Sequence, residues 1–191
     1  MTRSSPVFTS RRERRLWLST LAVVVAIYST LGLAGSLAEE LRERDLLPAA
    51  VLVLMLATVA AIVGSGLKRR PGRREIWVAL GVTAVYSMAV VRMGGTMEER
   101  THLFEYGIVA VLIYQALSER ARHGRRVPAP AVLALVAAAL LGWLDEGIQA
   151  LIPNRVYDNL DVVRNSVAAA TGIAGSVVVG WVNVRVDGRA R

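Results

Sequence analysis

Residues 46–67 read LLPAAVLVLMLATVAAIVGSGL, without one charged side chain. A run of about 20 apolar residues is what an α-helix needs to cross the hydrocarbon core of a bilayer. There every backbone N–H and C=O must be bonded within the segment itself. A surface helix of a soluble domain carries charge on one face and repeats it every turn or two; this stretch has no such face. It reads as a membrane-spanning helix and makes an all-α bundle the expected fold class.

The rest of the chain repeats the pattern. Charge is also absent from 16–38, 76–91, 128–144 and 166–184. The spacing predicts a polytopic transmembrane bundle of about six helices, over 16–37, 46–67, 75–93, 98–118, 130–152 and 160–184. The fourth is irregular: its apolar stretch, 107–117, is short, and Glu98, Glu99, Arg100, His102 and Glu105 crowd its start. With 54% hydrophobic and 20% charged residues in 191 positions, little chain is left over for a separate soluble domain. We divide it into an N-terminal three-helix part (1–94), a transmembrane core (95–184) and a basic tail (185–191). The Arg-rich start and the small residues at 36–38 imitate a cleavable signal. The apolar run between them exceeds the 7–15 residues of a signal core, so an uncleaved anchor is expected.

The net charge is +8. On a soluble chain that balance points to nucleic acid; here the Arg residues sit beside apolar runs and read as topology signals, and no nucleic-acid partner is expected. Seventeen basic residues fall in the N-terminus, 68–74, 119–129 and the C-terminus. Six fall in the alternate positions: Arg42, Arg44, Arg92, Arg100, Arg155 and Arg164. Cytoplasmic loops collect Lys and Arg, so both termini should be cytoplasmic. Without the fourth helix, four Arg of 119–129 would lie on the wrong side. The absence of cysteine excludes disulfides and thiol chemistry. Small residues at Gly32/Gly35, Ala60/Gly64 and Ala168/Gly172/Ser176 suit close helix packing in lipid.

Three polar clusters interrupt the later helices, all at the outer end of this topology. In the first, Glu98, His102 and Glu105 share a narrow helical arc, flanked by Glu99 and Tyr106. In the second, Asp145-Glu146-Gly147-Ile148-Gln149, the outer members lie one turn apart, and Asp145 falls seven residues before Ile152, roughly 10 Å inside the expected helix end. The third is Arg155, Asp158, Asp161 and Asn165. Plain roles are available for several: an interfacial histidine for His102, solvated helix-start charges for Glu98 and Glu99, an N-cap for Asp158, an aromatic-belt residue for Tyr106. Asp145 and Glu146 resist this treatment, because an acid inside a span costs about 2.5–3.5 kcal/mol on insertion scales and needs protein or water around it.

At these residues the chain resembles the VanZ-like family of bacterial membrane proteins. The resemblance rests on His102-Leu103-Phe104-Glu105-Tyr106-Gly107, Asp145-Glu146-Gly147-Ile148-Gln149, Pro153-Asn154-Arg155 and Asp161-Val162-Val163-Arg164-Asn165, and covers roughly 95–178. It implies a multi-pass protein of the bacterial cytoplasmic membrane. The founding member of the family is associated with resistance to teicoplanin, so an influence on the cell envelope or on glycopeptide resistance is implied as well.

Three readings follow. In the first, an outward polar pocket binds an envelope lipid or a lipid-anchored glycan headgroup; Glu98, Tyr106, Glu146, Gln149, Arg155, Asp161 and Asn165 are its binding residues, with membrane lipids and a lipid-linked envelope precursor or lipoglycopeptide as partners. In the second, a membrane enzyme acts on a lipid-linked substrate, with His102 as acid/base, Glu105 or Glu98 tuning it and Asp145 and Asp161 orienting it or holding a divalent cation. No metal site and no cofactor is expected; a divalent cation on the carboxylates belongs only to the enzymatic reading. The third is a small proton- or ion-coupled transporter, for which intramembrane acids are also typical.

Overall fold

Seven helices and no strands form among the described residues (7–31, 33–66, 72–92, 97–152 and 158–189) of the computed structural model: α1 (Arg11–Thr30), α2 (Ala34–Glu43), α3 (Leu47–Gly66), α4 (Arg73–Arg92), α5 (Met97–Arg122), α6 (Pro130–Gln149) and α7 (Asn159–Arg189). Among the described residues three segments are long and apolar enough to cross a membrane: Leu47–Gly64 of α3, Pro130–Gln149 of α6 and Asn159–Val182 of α7.

Six helices overlap the six expected segments, three of them containing a stretch long and apolar enough to cross a membrane, and α2 is additional. The first was expected to run to 37, but α1 stops at Thr30, whose hydroxyl bonds back to the Ala26 and Ile27 carbonyls, and Leu33 N–H donates to the Thr30 carbonyl at 2.9 Å. The charged residues Glu39, Glu40, Arg42 and Glu43 follow on α2. α2 carries them in ion pairs of Glu39 with Arg42 and Glu40 with Arg44. It ends at Glu43, and two residues on Asp45 has a φ of 56°, a left-handed conformation that Asp and Asn adopt more readily than most L-residues.

Helix starts follow ordinary capping chemistry. Ser10 is extended, and its hydroxyl accepts the Glu13 N–H at 3.0 Å, the N-cap arrangement. Gly72 N–H donates to the buried Glu75 carboxylate at the start of α4. Pro130 opens α6, where its missing N–H costs nothing.

α5 is the hub, packed against α1, α3, α4, α6 and α7. Ser10 Oγ donates to Glu119 Oε1 at 3.0 Å, while Tyr28 and Tyr106 both reach the Leu141 carbonyl; α1 and α5 are therefore antiparallel. Gly172 of α7 packs on Gly107 of α5, so close that a Cβ on Gly172 would lie 3.3 Å from the Gly107 carbonyl oxygen. The Ala168/Gly172/Ser176 face is thus an internal contact. Ala60/Gly64 is not matched by one at Gly64, which is exposed with nothing within 4 Å of a Cβ there.

The bundle has two unlike ends. One collects the Arg-rich start of α1 and the Arg-rich end of α5; the other collects Tyr106, Asp145, Glu146, Gln149 and Asn165. Between them the outer surface is apolar: Leu21 and Val25 on α1, Val53 and Leu56 on α3, Leu80 and Val85 on α4, Val136 and Leu140 on α6, and Val167 and Val178 on α7 are exposed. Large apolar side chains outside and carboxylates buried inside invert the soluble pattern and are compatible with a membrane environment.

Candidate functional site

The acidic end is organised around Asp145, a side chain with no solvent exposure. Gln149, one turn on, donates from Nε2 to Asp145 Oδ2 at 3.3 Å. The Tyr106 and Tyr28 phenols lie close enough to feel the carboxylate's charge. Tyr28 donates to the Leu141 carbonyl at 3.0 Å and Tyr106 to the same atom at 3.3 Å. α6 ends at Gln149, so Asp145 stands about 6 Å from the helix end, not the 10 Å expected from an end at Ile152. Its burial comes from the neighbouring helices and not from depth alone.

Glu146 is buried too and turns the other way, accepting the Asp158 N–H at 3.3 Å. This contact links the end of α6 to the approach to α7. Asp158 also caps α7, its Oδ1 accepting the Leu160 N–H at 2.7 Å.

Asn165 completes the group. Only 3% of it is exposed, and among the described residues its Nδ2 has no hydrogen-bond acceptor. It lies over Gly142: a Cβ there would stand 3.4 Å from Asn165 Cβ, 3.7 Å from Asn165 Nδ2 and 3.6 Å from Tyr106 Cε1. The glycine on α6 is what lets the α5 tyrosine and the α7 asparagine meet against one backbone.

The structure thus brings together Tyr106, Asp145, Gln149 and Asn165, with Glu146 adjoining. Asp161, expected to face the bundle beside Asn165, is half-buried and paired with Arg164 at 2.7 Å; one turn of α7 separates them, and Arg164 holds the acid on the helix's own surface. Glu105 is half-buried next to Tyr106. The backbone of Glu98 and His102 belongs to α5, but their side chains lie outside the described residues, as does all of Arg155. Among the described residues no three His, Asp or Glu side chains converge as a metal site requires.

Two features escaped the sequence reading. The first is Tyr28, which enters the Asp145 group from α1; nothing in its local sequence marks this. The second is a charged network at the opposite end. Glu13, with no exposure, accepts from Thr9 N–H and Thr9 Oγ1, each at 2.6 Å, and stands 3.5 Å from Arg120. Burial pushes the Glu13 carboxyl upward, but these hydrogen bonds and the Arg120 guanidinium outweigh it and hold the group below its ordinary value. Glu119 lies between Arg12 at 3.5 Å and Arg122 at 3.9 Å. Ser10-x-x-Glu13 is a capping-box spacing and was available as a signal for the first of these acids.

Compared with protein-family models, curated proteins and solved structures, the chain gives no match.

Proposed function

We propose that the chain is a VanZ-like, multi-pass protein of the bacterial cytoplasmic membrane. α1, α3, α4, α5, α6 and α7 cross the bilayer, and both termini are cytoplasmic. The acidic end faces outward and binds the hydroxylated headgroup of a cell-envelope lipid or lipid-linked glycan, and through it the protein influences envelope properties or glycopeptide resistance.

The observation that supports this most is the Asn165 amide, almost wholly buried and, among the described residues, without an acceptor, meeting Tyr106 over Gly142 one turn of α6 before Asp145. An orphaned buried donor costs about 1–3 kcal/mol. A carboxylate accepts at up to about four lone-pair sites. A sugar or glycerol hydroxyl accepts from one group and donates to the other, which is what a donor and an acceptor on facing helices are suited to hold. The tyrosine hydroxyls and Gln149 extend the polar lining. The topology is supported by the segregation of basic helix ends to one side of the bundle and by the apolar surface between the ends.

The test is mass spectrometry of lipids co-purifying with wild type, Asp145→Asn and Asn165→Ala. One species retained by wild type and lost from both variants, with a parallel change in teicoplanin sensitivity of cells, is the expected result. Identical lipid profiles in all three remove the ligand reading.

A further inference from the structure

A second polar site lies at the opposite, Arg-rich end. A cleft of about 40 Å³ opens there between α1, α5 and α7, lined by Arg12, Tyr114, Gln115, Ser118, Arg122 and Ser176. Such a volume is far below the roughly 300 Å³ of a small-molecule pocket and suits a single small group reaching in from the surface. Gly180 on the same wall has nothing within 4 Å of a Cβ position, leaving that side uncrowded.

The charges at the cleft do not cancel. Arg12 and Arg122 both approach one oxygen of Glu119, at 3.5 and 3.9 Å. Those distances exceed a hydrogen bond, so one carboxylate holds two guanidiniums loosely. Arg120 is matched separately by Glu13. Among the described residues one positive charge is therefore left over. Both guanidiniums keep much of their surface, with side-chain exposures of 47% and 65%, so their N–H forks are open to a ligand. Planar forks of this kind bind phosphate oxygens in pairs. Ser118, Tyr114 and Ser176 add hydroxyls to the wall.

We infer that this cleft binds a phosphate group, and that the group belongs to an anionic phospholipid of the adjoining leaflet. The lipid as source rests on the membrane reading above: that reading puts this end at the cytoplasmic surface, where basic pockets between helices meet anionic headgroups. The phosphate chemistry rests on the cleft alone. Glu119 then acts as the internal competitor that a bound phosphate displaces from the two guanidiniums.

The experiment is native mass spectrometry of the full chain in detergent micelles with added phosphatidylglycerol or phosphatidylcholine, and a separate competition with inorganic phosphate. Wild type should retain phosphatidylglycerol over phosphatidylcholine. Arg12→Gln/Arg122→Gln should lower that retention by roughly tenfold, and Arg12→Lys/Arg122→Lys should restore part of it. Glu119→Gln should raise retention, a gain that a merely misfolded variant would not produce. Displacement of the lipid by millimolar inorganic phosphate supports a site for phosphate from either source; no displacement, with the Arg dependence intact, assigns the site to the lipid. Equal retention of both lipids, or retention unchanged in the double Gln variant, overturns the inference, as does a wild type that binds neither phosphatidylglycerol nor phosphate. Retention that falls in Arg12→Gln/Arg122→Gln is read as this cleft whatever Asp145→Asn does; retention that falls in Asp145→Asn and not in the double Gln variant assigns the phosphatidylglycerol to the acidic end and overturns this inference, so the two sites are read separately.

Discussion

Tyr28 and Tyr106, on antiparallel helices α1 and α5, donate to one and the same acceptor, the carbonyl oxygen of Leu141, at 3.0 and 3.3 Å. This shared acceptor fastens three helices at the point where α6 presents Asp145. Replacing either hydroxyl alone leaves the other bond in place. Tyr28→Phe and Tyr106→Phe should therefore each lower stability by about 0.5–1.5 kcal/mol, and the double variant by more than the sum. Thermal unfolding of the four proteins in one detergent measures the coupling; strict additivity would mean that the two bonds are independent.

Among the described glycines, Gly107 has the least room for a side chain. A Cβ there would stand 2.1 Å from the Tyr86 hydroxyl oxygen, and Tyr86 is itself 1% exposed, with little room to retreat. Gly107→Ala should cost about 3 kcal/mol or more, at the upper end for overpacking. Gly172→Ala, 3.3 Å from a backbone oxygen, should cost less, and Gly64→Ala should be tolerated. Removing the obstructing oxygen with Tyr86→Phe should recover much of the Gly107→Ala loss. No recovery in the double variant would show that the clash is not the cause.

Glu13 sets an acid dependence at the basic end. Its carboxyl is held below the ordinary value, so the folded state favours the ionised form. The resulting stability is present above the unfolded value near 4.5 and is lost as pH falls through the folded value. Glu13→Gln should lower stability at pH 7 by about 1.5–3 kcal/mol, the worth of hydrogen bonds to a charged group. It should also flatten the decline between pH 5 and 3 seen in wild type. Unfolding midpoints across that range decide the matter; parallel curves would assign the acid sensitivity to another carboxylate.

Because the chain contains no cysteine, single introduced thiols report topology cleanly. Asp158→Cys, exposed at the acidic end, should react with a membrane-impermeant maleimide in intact cells. Arg125→Cys, exposed in the loop between α5 and α6, should react only after permeabilisation. The opposite pattern would invert the proposed orientation, and labelling of both in intact cells would remove it.

The helices were readable because apolar runs and charged punctuation report directly on a physical filter: hydrocarbon rejects charge and demands internal backbone bonding. α3 and α6 needed no neighbour to be recognised. α5 was the weakest prediction for the same reason that it is central. Surrounded by five helices, it presents no exposed large apolar side chain among the described residues, so its composition carries little signal. α2 was missed because ten residues of mixed charge lie below the length at which periodicity decides anything.

What the linear chain determined by itself is the helical class, the segregation of Arg to one end and the abnormality of Asp145 and Glu146, since each follows from the cost of placing particular residues in hydrocarbon. What only the tertiary structure decided is pairing: Tyr28 joins Asp145, Arg164 takes Asp161, and Glu119 stands between Arg12 and Arg122. Those choices depend on helix rotation and crossing, fixed where glycines such as Gly107, Gly142 and Gly172 allow close approach. A shift of α7 along its axis by one turn would exchange Asn165 for Asp161 with no change in sequence pattern, and packing against α5 and α6 is what selects one.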